Sequence, residues 1–171
     1  IVFFGDSVTE AYRDKLEVSD LGEGFIYLLS KDFKNIKFFN RGIGGQRVSD
    51  LVNRLQLDII NLEPDICFIW IGVNDAWLPH MLDHKSSLKT FYDDYEKLII
   101  KIQSKLKNVE IVLIKPFALL SQRVTKDIIK DLDIFRNDCG KLAFKYELKI
   151  IDIKNYMKQQ LLITPAKDLY S

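Results

Sequence analysis

A serine hydroxyl, a cluster of backbone amides and a carboxamide are the groups of this 171-residue chain that could act together on a carbonyl carbon. They stand in three short blocks: Gly5-Asp6-Ser7, Gly42-Ile43-Gly44-Gly45 and Gly72-Val73-Asn74-Asp75. A serine supplies a nucleophile, and N–H donors aimed at one point stabilise the oxyanion that its attack creates. Each block also has an ordinary use. Gly-Asp-Ser reads equally as a helix N-cap, the glycines as a flexible turn, and Asn-Asp as an Asx turn or cap. Asp75 is expected to cap or brace rather than react. All three blocks, however, follow apolar runs with strand character. In a parallel sheet the carboxyl ends of the strands share one edge, and ligands bind there. At that edge the three blocks would converge into an acyl-transfer site.

The elements that must position them are legible as alternating patterns. Short β-rich runs recur at Ile1–Phe4, Ile36–Asn40, Ile66–Ile71, Val109–Ile114 and Lys149–Ile153. Helical periodicity fills the intervals: Phe25–Phe33, the stripe Val48, Leu51, Val52 and Leu55, then Leu88–Leu106 and Lys126–Phe144. Thr125 is the expected cap of the last of these, Ser86 or Ser87 that of Leu88–Leu106. Pro64 ends a helix just before the third strand. Ile153–Leu162 is helix-rich, with a loop from Ile163 to Ser171. Strands alternating with helices predict an α/β fold: one three-layer α/β/α domain around a parallel five-stranded sheet.

Composition narrows the function classes. A net charge of +1 without a dense Lys/Arg block implies neither nucleic acid nor an anionic membrane surface as partner. No apolar stretch approaches the roughly 18–20 residues of a membrane-spanning helix. Cys67 and Cys139 fall on apolar faces and read as buried free thiols, which fits a cytoplasmic setting, although a removed secretion signal is untested in a chain that opens without Met. The Gly-x-Gly-x-x-Gly spacing of a dinucleotide fingerprint is absent, so no cofactor is expected. His80 and His84 stand four apart beside Asp83, but no third ligand accompanies them; a solvated loop pair is expected, not a metal site. No heptad or exposed apolar strip decides between a monomer and a homo-oligomer.

The three blocks, in this order, resemble those of the SGNH (GDSL-type) hydrolases, serine esterases and lipases on a flavodoxin-like α/β/α fold. The resemblance runs through the motifs from Phe4 to Asp75 and through element order to about Asp152. It implies Ser7 as nucleophile and an oxyanion hole made by the Ser7 N–H, the Gly45 N–H (Gly44 is the alternative) and the Asn74 side chain. Asp6 and Trp77 are the substrate-side candidates; Trp77 looks like a pocket aromatic of the carbohydrate acetyl-esterase subset, with a core or lid role as its alternative. The family's fourth element, an Asp-x-x-His block carrying the base and its orienting acid, is not found; Asp168 is followed three places later by Ser171. The expectation is therefore one domain over residues 1–171, clipped at both ends, with that block beyond Ser171. Loss of the base would instead leave a catalytically inactive carbohydrate- or ester-binding module. A phosphotransferase with Asp6 as nucleophile would need a second aspartate where Val8 stands. Asp152, closing the fifth strand, is expected to be structural or capping rather than reactive.

Overall fold

The computed structural model describes residues 1–82, 86–121 and 123–163. Five strands, β1 (Val2–Gly5), β2 (Phe39–Gly42), β3 (Ile66–Trp70), β4 (Glu110–Ile114) and β5 (Lys149–Ile151), form one parallel sheet in the order β2-β1-β3-β4-β5. This is the expected α/β architecture. Among the described residues seven helices accompany it: α1 (Ser7–Glu10), α2 (Phe25–Asp32), α3 (Val48–Asp58), α4 (Val73–Leu82), α5 (Ser86–Lys105), α6 (Lys126–Lys145) and α7 (Lys154–Ile163). Thr125 caps α6 as expected, its side chain accepting from the Ile128 N–H.

Strand alternation divides the core. Val2 and Phe4 of β1, Cys67 and Ile69 of β3 and Ile111 and Leu113 of β4 are buried in one large cluster with apolar residues of α3, α5 and α6. Phe91 of α5 stacks on Phe135 of α6 at 3.9 Å inside it. On the opposite face Phe3 stacks on Phe68 at 4.7 Å, and α2 covers them through Phe25 and Ile26. Helices on both faces make the three layers. Cys67 and Cys139 are both buried and unpaired, and burial pushes each thiol up to about 12.

Register is the feature that builds the site. Gly5 is level with Gly42 on one side and with Trp70 on the other. Strands β2, β1 and β3 therefore stop on one line, and the segments carrying Ser7, Gly44-Gly45 and Asn74 leave the sheet side by side.

Three local expectations are corrected. β2 begins at Phe39, not Ile36, and runs through Arg41 and Gly42. Its polar residues look like loop in a sequence, yet both are buried and satisfied. Asn40 donates to the carbonyls of Glu10 and Leu21, and Arg41 to those of Val18 and Asn40. The helix before β3 stops at Asp58, and a short 3-10 turn (Ile60–Leu62) with Glu63 at φ +44° leads into Pro64. His80 is solvent-exposed but not in a loop: it lies in α4 beside Pro79, and its Nε2 is 2.6 Å from Asp131 Oδ2 on α6. His84, Asp83, Asp168 and the rest of the stretch from Thr164 to Ser171 lie outside the described residues.

Candidate active site

Ser7 is the first residue of α1, and its side chain is exposed at the carboxyl end of β1. The cap itself is Asp6, whose buried carboxylate accepts the Val8 N–H at 3.0 Å. Asp6 thus faces inward beneath the turn, and burial raises its pKa to about 6. Capping by Asp6 leaves the Ser7 hydroxyl uncommitted to the helix end. Among the described residues no side chain hydrogen-bonds to that hydroxyl.

The glycine block meets Ser7 from β2. A Cβ built on Gly44 would lie 3.6 Å from the Ser7 Cβ. The Gly44 N–H is already engaged, donating to the Glu10 carboxylate, which also pairs with Lys15 at 2.7 Å. Burial works against ionising Glu10, but these two donors hold it below the ordinary carboxylate range. Gly45 differs. It sits at φ +78°, a left-handed conformation that glycine adopts without strain, and the space on its Cβ side is empty. Gly42 is needed for another reason: a Cβ there would collide with the backbone of Thr9 and Glu10, so α1 rests directly on β2.

Asn74 enters from β3 as the second residue of α4 and is 9% exposed. Its Nδ2 donates to the Gln46 carbonyl at 2.9 Å. A carboxamide nitrogen carries two N–H groups, so this bond orients Asn74 and leaves the second donor available. Asp75 points the other way. Both of its oxygens accept from the Val48 N–H at 3.3 Å, so a carboxylate at the end of β3 caps helix α3 after β2. Burial raises its pKa to about 7. The expectation that Asp75 braces rather than reacts describes this geometry.

Trp77 lies one turn past Asn74, half-buried, with its indole N–H donating to the Arg123 carbonyl at 3.0 Å in the segment after β4. Asp152 is structural. Arg136 donates to both of its oxygens at 2.6 and 2.8 Å, Lys115 lies 3.3 Å away, and these partners outweigh burial to hold its pKa to about 2. An open recess of about 800 Å³ lined by residues such as Phe144, Tyr146 and Leu148 lies at the amino end of β5, at the opposite edge of the sheet.

Sequence reading did not single out three residues that assemble the site. Glu10, one turn after Ser7, holds the Gly44 amide. Gln46 receives Asn74. Arg54 of α3 reaches the Gln46 side chain at 2.5 Å and the Gly5 carbonyl at 3.0 Å. The one available signal was Arg54's place among the apolar positions Leu51 and Leu55, where a charged side chain must find buried partners.

The GDSL-like Lipase/Acylhydrolase family profile matches residues 3–168. An acetylxylan esterase of Geobacillus stearothermophilus is 31% identical over 68% of this chain and 59% of its own length. The lipoprotein YqeF of Bacillus subtilis is 35% identical over 44% of this chain and 32% of its own. The chain thus spans less than two thirds of the length of these relatives. Among solved structures, a GDSL-like protein of Parabacteroides merdae superposes with a TM-score of 0.86 at 28% identity, covering 97% of this chain and 82% of that one. The acetylxylan esterase Axe2 of Geobacillus stearothermophilus superposes at 0.81 with 24% identity over 95% and 80%, a likeness of fold.

Proposed function

Since the chain belongs to the GDSL-like lipase/acylhydrolase family, we propose that it is a serine ester hydrolase in which Ser7 is the nucleophile. The observation that carries this reading is the exposed, uncommitted Ser7 hydroxyl at the line where β1, β2 and β3 end together. Ser7 Oγ attacks the acyl carbon, and the carbonyl oxygen becomes an oxyanion. The Ser7 N–H, the Gly45 N–H and the second N–H of Asn74 receive it. Gly45 is preferred to Gly44 because the Gly44 amide is engaged by Glu10. Collapse of the tetrahedral intermediate expels the alcohol and leaves an acyl-Ser7 ester, which water then cleaves.

An ordinary serine needs a base to take its proton. The base falls to the histidine of the family's Asp-x-x-His block, which takes the Ser7 proton and returns it to the leaving alcohol. Residues 1–171 then belong to one hydrolase domain. Without a base, donors and binding alone give about 10³–10⁴ over water in the serine-protease template.

The substrate class proposed is a small or carbohydrate-linked ester, with Trp77 on the substrate side; Asp6, expected there as well, is instead buried beneath the turn and caps α1. The acetylxylan esterase relative supports an acetylated sugar. We propose a cytoplasmic location from the two unpaired thiols. The lipoprotein relative favours export instead, and cell fractionation separates the two. Among the described residues no helix is long and apolar enough to cross a membrane.

The test is ester turnover and fluorophosphonate labelling of the full chain. One covalent adduct on Ser7, with hydrolysis of p-nitrophenyl acetate abolished by Ser7→Ala, is the expected result. Undiminished hydrolysis in Ser7→Ala would sink the assignment.

A further inference from the structure

We infer that Arg54 is the positioning residue that sets the three blocks in register behind the oxyanion site, an inference that rests on the serine-hydrolase reading. Its guanidinium makes four hydrogen bonds. Nη2 donates to the Gly5 carbonyl at 3.0 Å, immediately before the nucleophile turn. Nη1 donates to the Arg41 carbonyl at 2.9 Å, at the end of β2. Nε donates to the Gln46 Oε1 at 2.5 Å, beside the glycine block. Asp58, one turn on in α3, accepts from Nη1 at 2.5 Å and balances the charge. The group also lies over the Phe4 ring, 4.5 Å from its centroid, beneath the end of β1.

Gln46 extends this contact to the third strand. Its side chain is held by Arg54, and its main-chain carbonyl receives the Asn74 carboxamide. One side chain thus reaches the nucleophile loop directly, the glycine loop directly, and the β3 donor through a single residue. A planar fork with several fixed donors suits this task, whereas a lysine ammonium presents a point charge on a flexible stem. Arg54 touches neither substrate nor the reacting atoms. It acts by fixing the separation of Ser7 from the oxyanion donors, where displacements of about 1 Å lower rates about 10²-fold.

The experiment compares Arg54→Lys, Arg54→Ala and Ser7→Ala in the full chain by steady-state hydrolysis of p-nitrophenyl acetate and by amide hydrogen exchange. The expected result is a kcat lower by at least about tenfold in Arg54→Lys and about 10²-fold in Arg54→Ala, with KM changed little. Exchange should accelerate at residues 5–8 and 43–46 while the amides of β4 and α5 keep their protection. Wild-type kcat and local exchange in both Arg54 variants, beside an inactive Ser7→Ala, overturn the inference and leave the hydrolase reading standing. Exchange that quickens uniformly, with kcat falling only as the folded fraction falls, also overturns it, because Arg54 would then serve the fold alone. An active Ser7→Ala overturns the hydrolase reading, and the exchange pattern still decides whether Arg54 holds the loops. Should Arg54→Ala fail to fold, Arg54→Lys, which keeps the charge beside Asp58, carries both readouts.

Discussion

Asn74 uses one N–H to bind the Gln46 carbonyl and has one left. Replacing it with alanine should therefore separate chemistry from stability. In Asn74→Ala, kcat on a p-nitrophenyl ester should fall about 10²–10³-fold, the usual effect of losing one oxyanion donor. Thermal unfolding should register only the lost hydrogen bond, about 1 kcal/mol. The glycines of the second block should respond unequally. Gly42→Ala would drive a methyl into the backbone of α1 and should destabilise the fold, lowering the denaturation midpoint markedly. Gly45→Ala meets open space but keeps φ +78°, so it should fold, with a penalty of roughly 1–2 kcal/mol. The placement of Ser7, Gly45 and Asn74 along one edge of the sheet was legible in the sequence because each lies in a short block that follows a strand. Glu10, Gln46 and Arg54 were not, because what they touch is far away in the chain: Arg54 and Gly5 are 49 positions apart.

Helices α5 and α6 hold the large core together through the Phe91–Phe135 stack, both rings being fully enclosed. Phe135→Ala should lower the stability to chemical denaturation by about 3–5 kcal/mol, the usual effect of emptying an aromatic core position. Its kcat should remain near wild type wherever the protein is folded, since neither helix contributes a residue to the proposed oxyanion site. The two helices announced themselves by period: a stripe of apolar positions and, for α6, Thr125 at its start. β2 announced itself poorly. Hydrophobic patterning locates strands that bury apolar side chains, and β2 buries Asn40 and Arg41 instead, satisfied by backbone carbonyls of Glu10 and Leu21 for the first and of Val18 and Asn40 for the second. α4 was read as loop for a similar reason, with Pro79 inside it and Asn-Asp at its start.

For the molecule as a whole, the buried carboxyls set a pH dependence of stability. Burial raises Asp6 and Asp75 from 3.8 to about 6 and about 7. Between those limits the folded protein holds protons that the unfolded chain has released, so stability falls as pH rises. Asp152 has the opposite sign: its folded pKa of about 2 adds stability above its ordinary value of 3.8, lost on acidification toward 2. The melting temperature should therefore peak in mildly acidic buffer and decline toward neutrality, and Asp75→Asn should flatten that decline in a series of thermal melts. The contact of α1 with Gly42 bears on the order of folding. A helix of four residues has no stability of its own, because nucleating a helix is unfavourable and so short a segment cannot recover it. The turn that presents Ser7 is thus held by a strand that lies more than thirty residues later in the chain. Nucleophilicity at Ser7 should be a late acquisition during refolding. Phosphonate reactivity should appear together with protection of the β1–β2 pairing, and a collapsed chain lacking that pairing should leave the serine inert.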